Sequence, residues 1–390
     1  MRFPDTFDLI RGERRFILLA MDIDTYSTWL EIDLTAIKDN VAQIKRLTSR
    51  AVMAVIKANG YGHGAIPAAQ AAISGGASWC GVARIEEALA LRRAGIECDI
   101  IVLGCTPPAK IPQAIEQQIH VAIFDTELSK RYLERAKSNG GKLKTHIKVE
   151  TGMGRLGMLP EEVPGLLKCL SNSNHIEVGG IFTHLARADE PHADATKLQL
   201  KRFNALLCEL DLAGLKPKLV HVANSAAVFN FPEAYYDMVR PGIAIYGLQP
   251  SPETHLGNGF RPALTWKAHI TSVRMTPPGR GISYGSVYVT SAEERIGVIP
   301  IGYGDGFRRV DGQKVLVHGK VVDVVGRVCM DQCMLQLDQV PDAKVGDEVV
   351  LLGKQGNEVI SAEDLAARWG TLNYEVVCGL ADRLPRIYID

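Results

Sequence analysis

The chain has 390 residues, of which 46% are hydrophobic and 23% charged, a composition typical of ordinary globular proteins. At about 150 residues per domain, this length predicts two domains, or a barrel with an appended unit. Lysine plus arginine equals aspartate plus glutamate, at 44 each, so there is no positive field to hold a nucleic acid.

Residues 1–25 are predicted to form an N-terminal extension. The apolar run 15–20 (RFILLA) is too short for a signal peptide, and no small-residue cleavage site follows it. No run approaches the roughly 20 apolar residues that span a membrane, so we expect no membrane partner. The eight cysteines form no Cys-x-x-Cys pair and no cluster with histidine. We therefore expect no metal site, and reduced thiols in a cytoplasmic protein.

From residue 51, short β-branched apolar runs alternate with amphipathic stretches such as 84–94 and 194–213, which predicts βα units and a parallel sheet. Eight such runs favour a closed (β/α)8 barrel of the TIM type, spanning residues 26–255. An earlier strand, 28–34, is a candidate to pack on the second domain instead. The eight predicted barrel strands are 51–56, 79–83, 100–104, 119–124, 145–149, 178–183, 219–223 and 238–246.

A second domain is predicted for residues 256–390, because short strands follow one another there with almost no helix between them. The link His318-Gly319-Lys320 predicts a tight hairpin, and Ser361 with Asp364 has capping-box spacing before a helix at 362–369. The predicted strands are 267–274, 295–301, 314–318, 320–325, 333–338 and 347–352. The fold class is thus α/β, with an N-terminal barrel followed by a mainly-β domain.

Active sites of (β/α)8 barrels lie at the C-terminal ends of the strands. A lysine there, buried beside cations, has a lowered pKa and can form an imine; Lys57 is placed in this way, unless it is merely a strand-end lysine that reaches solvent. The loops after the last two strands commonly bind phosphate. The reactive residues that fall at these ends are Lys57, Arg155, His184, Asn224, Ser225, Arg240 and Gly242.

The segment 54–64 (AVIKANGYGHG) resembles the pyridoxal phosphate-lysine signature of the alanine racemase family. The similarity runs from about Trp29 to Arg386. Further matching stretches are 151–157 (TGMGRLG), 183–184 (TH), 223–226 (ANSA), 239–242 (VRPG), 283–285 (SYG), 329–332 (CMDQ) and 373–375 (NYE). The resemblance implies a pyridoxal phosphate-dependent enzyme that interconverts L-alanine and D-alanine and supplies D-alanine for peptidoglycan.

The resemblance also implies two catalytic bases. Lys57 would hold the cofactor as a Schiff base and act on one face of the substrate α-carbon, while Tyr284 would act on the opposite face. In the family this tyrosine comes from the neighbouring subunit, so a homodimer is implied. His184 and Arg240 would form the network beside the tyrosine, and Arg240 would face the pyridine nitrogen, to which a guanidinium hardly ever gives up a proton.

Binding roles carry over in the same way. The substrate carboxylate would meet Arg155 and the backbone amide of Met330, with Asp331 beside them. Lys148 matches a family position that is often carbamylated. The residues implied in holding the cofactor, mainly its phosphate, are Tyr61, Asn224, Ser225, Gly242, Ile243 and Tyr374.

Four positions depart from the commonest family pattern: Glu150, Arg187, Gly304 and Arg308. None removes a catalytic group, but they leave substrate breadth open, and a serine or broad-specificity racemase is the nearest alternative. Tyr374 and Tyr284 argue against it, because together they should narrow the pocket mouth. A non-catalytic pyridoxal phosphate-binding barrel is disfavoured by the second domain. A basic amino acid decarboxylase is disfavoured because no Gly-Gly-Gly phosphate loop is found.

Overall fold

The computed structural model describes residues 25–390, so the predicted N-terminal extension lies, except for residue 25, outside the described residues. The strands are β1 (Thr28–Asp33), β2 (Ala51–Val55), β3 (Trp79–Val82), β4 (Asp99–Val102), β5 (Ile119–Ile123), β6 (Leu143–Lys148), β7 (Ile176–Phe182), β8 (Leu219–His221), β9 (Met238–Val239), β10 (Leu264–His269), β11 (Ser272–Thr276), β12 (Gly281–Ile282), β13 (Tyr288–Val289), β14 (Glu294–Ile299), β15 (Lys314–Val317), β16 (Lys320–Val325), β17 (Cys333–Gln336), β18 (Glu348–Gln355), β19 (Glu358–Ile360) and β20 (Arg386–Ile389).

Helices connect most of the barrel strands and follow the sheet strands near the end of the chain. They are α1 (Leu34–Thr48), α2 (Lys57–Tyr61), α3 (Ala65–Ser74), α4 (Ile85–Arg93), α5 (Ile111–Glu116), α6 (Thr126–Asn139), α7 (Val163–Ser171), α8 (Asp194–Leu212), α9 (Ser225–Asn230), α10 (Ala362–Trp369) and α11 (Asn373–Cys378). Short 3-10 turns lie at Pro108–Lys110, Pro160–Glu162, Pro232–Ala234, Ile243–Tyr246, Tyr284–Ser286 and Tyr303–Asp305. Across residues 25–390, no helix has the length and apolar character needed to cross a membrane.

Strands β2 to β9 close into a parallel barrel in chain order, and this confirms the predicted fold class. Their inward-facing and helix-facing residues are almost all buried, as expected for strands covered on both faces. The last strand is much shorter than the predicted 238–246, because pairing ends at Val239. Pro241 has no N–H for a strand ladder, and residues 243–246 turn into a 3-10 helix instead.

The remaining strands build a twisted sheet in the order β11-β14-β17-β16-β15-β18-β10-β1-β20, with β19 on β18 and a separate β12-β13 pair. β1 pairs antiparallel with β10 and parallel with β20, so it belongs to this sheet rather than to the barrel. The sheet domain therefore contains both the beginning and the end of the described chain.

Two details of the sheet domain test the sequence predictions. The hairpin between β15 and β16 is confirmed: His318 and Gly319 have φ of 51° and 71°, the paired positive values of a two-residue turn. The single strand predicted at 267–274 is wrong. The chain changes partners there, because His269 pairs with Glu348 of β18 whereas Ser272 pairs with Val298 of β14.

Candidate active site

Lys57 lies two residues beyond β2, at the C-terminal mouth of the barrel. Its amine has no hydrogen-bond or ion-pair partner within residues 25–390, and it lies 5.8 Å from the centroid of the Tyr61 ring. Burial, and secondly the Arg155 guanidinium, lower the pKa of Lys57. The neutral amine, which is the form that attacks a carbonyl, is correspondingly favoured.

The segment after Lys57 turns with the opposite hand to an ordinary helix. Residues 58–61 all have positive φ, between 52° and 63°. Left-handed backbone costs about 1–2 kcal/mol for each residue with a side chain, so surrounding contacts must hold it. Glu87 supplies them: its carboxylate accepts from the backbone N–H of Ala58 at 2.7 Å and from those of Ala83 and Arg84 at 2.8 and 3.0 Å. The beginning of the left-handed turn is thus hydrogen-bonded to the start of α4.

Arg240 follows β9 directly, and its side chain is almost fully buried inside the barrel mouth. Its NH1 donates to the backbone oxygen of His221 at 2.5 Å and to Nδ1 of the same residue at 3.2 Å. Its NH2 donates to the backbone oxygen of Thr183 at 2.8 Å and to Nδ1 of His184 at 3.3 Å. The remaining donor of the Arg240 guanidinium, its Nε–H, has no hydrogen-bond acceptor within the described part of the chain.

The charge of Arg240 keeps its neighbours neutral. Burial lowers the pKa of Arg240 to about 9, so the guanidinium stays cationic at neutral pH. Burial and, next, this cation lower the pKa of both His184 and His221 well below the usual value. Neutral histidines can accept through Nδ1, which agrees with the hydrogen bonds that both receive.

A second group of donors lies beside α9. Ser225 Oγ accepts from the backbone N–H of Gly242 at 2.8 Å and of Ala244 at 3.3 Å, so its own hydrogen is available for an anion. A Cβ on Gly242 would lie 2.4 Å from the Tyr61 hydroxyl oxygen, so the glycine lets that hydroxyl approach the backbone. Hydroxyls and backbone amides without a lysine are a suitable set for a phosphate group.

The other residues predicted for this region have supporting contacts. Asn224 caps α9, since its Oδ1 accepts from Ala227 N–H at 3.0 Å. Ile243 is fully buried at the start of its 3-10 turn. The Tyr374 ring centroid lies 6.2 Å from that of Tyr61, and its hydroxyl donates to a backbone oxygen of residue 250 at 3.3 Å.

Arg155 lies on an exposed loop after β6 that is organised by Glu150. The Glu150 carboxylate accepts from the backbone N–H of Gly152, of Met153 at 2.6 Å, of Gly154 at 2.9 Å and of Arg155 at 3.4 Å. Burial raises the pKa of Glu150 and these backbone donors lower it, with a net lowering. The residue that departs from the family pattern therefore shapes the loop that presents the arginine.

Lys148 is 5% exposed at the end of β6. Burial, followed by Arg155 and Arg240, lowers its pKa to about 8. Its amine lies 5.8 Å from the Phe182 ring centroid and has no anionic partner within residues 25–390. The mouth thus contains an excess of cations.

Tyr284, Met330 and Asp331 lie at one end of the sheet domain, where Ser283 donates to the backbone oxygen of Arg327 at 2.6 Å. Tyr284 is 69% exposed and Met330 53% exposed. No hydrogen bond or ion pair of the described residues joins these three to the barrel mouth. The structure therefore brings Tyr374 and the barrel residues together, whereas Tyr284, Met330 and Asp331 stay apart from them in a single chain.

Three residues that the motifs did not single out support the site: His221 and His146, which lie inside the barrel, and Glu87 on α4. His146 Nδ1 lies 2.8 Å from His221 Nε2. The available signal was a single histidine within each of two barrel strands, β6 and β8, at positions that face the barrel interior. No group of three or more potential metal ligands is found in the described range.

Two family models and several known proteins match this chain. The family described as alanine racemase, N-terminal domain, matches residues 32–250, and the corresponding C-terminal domain matches residues 263–388. An alanine racemase of Symbiobacterium thermophilum is 46% identical over 94% of this chain and 99% of its own length. One from Desulforamulus reducens is 45% identical, with 93% and 98% covered.

Solved structures agree with this. The crystal structure of alanine racemase from Bacillus anthracis with bound L-Ala-P has a TM-score of 0.89 and 40% identity, covering 93% of this chain and 95% of its own. An alanine racemase of Clostridium difficile in complex with cycloserine has a TM-score of 0.86 and 38% identity, with 93% and 96% covered.

Proposed function

The chain belongs to the alanine racemase family, and we propose that it interconverts L-alanine and D-alanine with pyridoxal phosphate held at Lys57. The observation that carries the proposal is the amine of Lys57 at the barrel mouth, which has a lowered pKa and no partner among residues 25–390, beside donors suited to a phosphate.

The residues present fit the cofactor. Its aldehyde would meet the Lys57 amine, and its phosphate would meet the hydroxyls of Tyr61 and Ser225 with the backbone amide of Ile243. The Gly242 amide and the Tyr374 hydroxyl would join them by exchanging their present acceptors, Ser225 Oγ and the backbone oxygen of residue 250, for phosphate oxygens. Asn224 would hold this region in place through its cap of α9. When bound, pyridoxal phosphate withdraws electrons from the α-carbon of an attached amino acid and so makes its hydrogen acidic.

Two bases would then transfer the α-hydrogen of the substrate, one on each face of the α-carbon. Lys57 would remove or return the α-hydrogen on one face, and Tyr284 would do so on the other. Racemisation needs both, because a single base would have to carry the proton across the plane of the reacting centre. Tyr284 is exposed and separate from its own barrel mouth, which supports its delivery by a second copy of the chain, placed as in a homodimer.

Arg240 would determine the proton state of the cofactor's ring nitrogen. Its NH1 and NH2 groups already donate to His221, Thr183 and His184, which leaves Nε–H for the cofactor. Even with its pKa lowered to about 9, the Arg240 guanidinium keeps its proton at neutral pH, so the ring nitrogen would stay unprotonated. This would limit stray protonation on the cofactor and favour racemisation over amino-group transfer.

The substrate would be held by its carboxylate and restricted by aromatic side chains. Arg155 offers a two-pronged donor, and the Met330 backbone N–H would complete the carboxylate site from the partner, with Asp331 beside them as an orienting acid. Tyr374 and Tyr284 would narrow the pocket to a side chain near the size of a methyl group.

Lys148 is proposed to be carbamylated. Its amine is buried and without an anionic partner, and a pKa of about 8 leaves part of it neutral and able to add to carbon dioxide with release of one proton. The resulting anion would neutralise the cations beside it and orient Arg155. Labelled bicarbonate should give a carbamate ¹³C signal that is lost in Lys148→Arg; a signal that persists in the variant would contradict the assignment.

The biological role follows from the product. We propose that this enzyme acts in the cytoplasm and supplies D-alanine for peptidoglycan.

The experiment that tests the proposal is racemisation of L-alanine by purified protein with pyridoxal phosphate, beside L-serine and L-lysine, followed by chiral chromatography. A strong preference for alanine is expected. Comparable rates on all three substrates would overturn the narrow pocket, and cofactor binding without turnover would indicate a binding protein.

Loss of the cofactor linkage provides the companion test. Lys57→Ala should abolish the absorbance of the Schiff-base-bound cofactor and the activity together. Lys130→Ala is the control, because that lysine is a surface residue of α6 whose side chain is 64% exposed. An unchanged spectrum in Lys57→Ala would remove Lys57 from the cofactor assignment.

A further inference from the structure

Three histidines form a column inside the barrel below Arg240: His221 on β8, His146 on β6 and His120 on β5. His221 and His146 are fully buried, and His120 is 8% exposed. The rings of His146 and His221 are joined by the 2.8 Å contact between Nδ1 and Nε2. His120 packs perpendicular to His146, with ring centroids 5.2 Å apart. None of the motifs that identify the family includes His146.

The chemistry of arginine fixes the direction of the two hydrogen bonds that join Arg240, His221 and His146, while His146 Nε2 has no hydrogen-bond partner among residues 25–390. A guanidinium only donates, so His221 Nδ1, 3.2 Å from Arg240 NH1, must accept and carries no hydrogen. The hydrogen of His221 is then on Nε2, and it can be donated only to His146 Nδ1. His146 therefore carries its own hydrogen on Nε2. The two rings are thus held in matching neutral tautomers.

The electrostatics of the barrel agree with this assignment. Burial, and then Arg240, lower the pKa of His221, while burial, His120 and Arg240 lower that of His146. A second proton on His146 would put two donors against each other at 2.8 Å, and a second proton on His221 would face the NH1 donor of Arg240 at 3.2 Å.

The neighbouring strand is built to accommodate the His146 ring. β6 and β7 pair with a register irregularity between Thr145 and His146, and His146 comes to lie opposite Gly180. A Cβ on Gly180 would lie 2.6 Å from His146 Nδ1 and 2.7 Å from its Cε1, closer than real side chains approach. A Cβ on Gly179 would only touch the ring, 3.7 Å from Nε2. The absence of a side chain at Gly180 therefore gives the ring its place against His221.

We propose that His146 is a positioning residue for Arg240. By accepting from His221, it fixes the tautomer that receives Arg240 NH1, and so directs the remaining Nε–H of Arg240 toward the cofactor ring nitrogen. The consequence for catalysis rests on the proposed function, whereas the tautomer assignment does not.

The first test needs no variant of His146. The full-length enzyme is labelled with ¹⁵N in its histidine rings and studied by solid-state NMR, as purified and after addition of pyridoxal phosphate. The signals of His221 are identified by their loss in His221→Gln. One protonated Nε2 and one unprotonated Nδ1 are expected for His221. A protonated Nδ1, in either sample, would overturn the proposal even if the protein racemises alanine.

The second test compares His146→Asn with His146→Leu. The two side chains have the same branched shape, and only asparagine places an acceptor oxygen near the position of Nδ1. Both lose the rest of the ring, so they should lose similar stability in thermal unfolding. His146→Leu leaves the buried Nε2–H of His221 without an acceptor, so kcat should fall on the order of tenfold, with KM changed less than about threefold.

His146→Asn should restore most of kcat and keep the His221 tautomer. Equal losses of kcat in both variants would show that the ring acts through packing alone and would overturn the proposal. If His146→Leu fails to fold, the tautomer measured in the unsubstituted enzyme still decides the matter. Absence of racemisation in every sample, with the expected tautomer present, would contradict the proposed function and not the positioning role.

Discussion

Tyr284 carries the most specific expectation at the scale of single residues. Removing its hydroxyl in Tyr284→Phe takes away one base but leaves the lysine and the phosphate site untouched. We expect turnover to fall by about 10²- to 10⁴-fold, the usual contribution of a general acid or base, while cofactor absorbance stays unchanged. Steady-state rates in both directions and an absorbance spectrum check this.

Tyr236→Phe is the matched control, because its hydroxyl donates to Asn204 at 2.7 Å on the exposed side of α8. It should turn over alanine at the unsubstituted rate. Turnover of Tyr284→Phe equal to that of this control would exclude Tyr284 as a base.

Glu150 yields a second residue-scale prediction. Glu150→Gln replaces two acceptor oxygens by one oxygen and an NH2 group that would face backbone donors. The loop should loosen, and because it carries Arg155, KM for alanine should rise by about 3- to 10-fold, with a smaller change in kcat. Glu150→Asp, the residue usual in the family, keeps the charge and should stay within about twofold of the unsubstituted KM. Similar KM values for glutamine and aspartate at this position would show that the charge does not organise the loop.

Some residues of the site could be predicted from the sequence, and others could not. Lys57 and Arg240 could be assigned to the barrel mouth because a strand end fixes where a side chain emerges. His221 and His146 escaped notice because a single histidine inside a barrel strand has no spacing signature. Their pairing depends on the strand order of the barrel, which places β6 and β8 on either side of β7.

Among the elements, the left-handed turn after β2 depends on Gly62. This glycine has φ of 82°, and a Cβ there would lie 2.1 Å from the backbone oxygen of Val377 on α11. We expect Gly62→Ala to lower the free energy of unfolding by at least about 2 kcal/mol beyond the loss that the positive φ alone would cause, because the methyl group would clash with Val377. We also expect it to weaken cofactor binding, because the turn adjoins Lys57. Urea unfolding and titration with pyridoxal phosphate measure the two effects.

Gly140→Ala isolates the φ strain. Gly140 has φ of 68° and nothing within 4 Å of a built Cβ, so its loss should be only about 1 kcal/mol. Equal destabilisation of the two variants would mean that the contact with α11 is unimportant.

The lengths of elements were less predictable than their existence. The α10 helix could be placed from Ser361 and Asp364, because a capping box is a local signal that the structure confirms. The end of β9 was predicted too late because the apolar run 243–246 looks like a strand, although Pro241 is a local signal against continued pairing. Likewise, the division of 267–274 into β10 and β11 depends on which distant strand each half pairs with. The hydrophobic pattern of these eight residues does not predict that pairing.

At the scale of the whole molecule, one end of the sheet domain exposes an apolar surface. Val287 and Val289, which lie beside Tyr284, are 55% and 52% exposed, and Met330 is 53% exposed. Clustered exposed apolar residues commonly mark an interface. If this surface packs on the barrel mouth of a second copy, each active site contains Lys57 of one subunit and Tyr284 of the other.

A mixed dimer tests this arrangement directly. Lys57→Ala and Tyr284→Phe chains with different affinity tags are co-expressed, and dimers that carry both tags are isolated. In a symmetric dimer with shared sites, one site receives both substitutions and the other receives neither, so activity per dimer should be about half that of the unsubstituted enzyme. Each substituted homodimer, purified identically, should be nearly inactive. A mixed dimer as inactive as its parents would mean that each site is built from a single chain, and failure to recover any doubly tagged protein would mean that the chains do not pair.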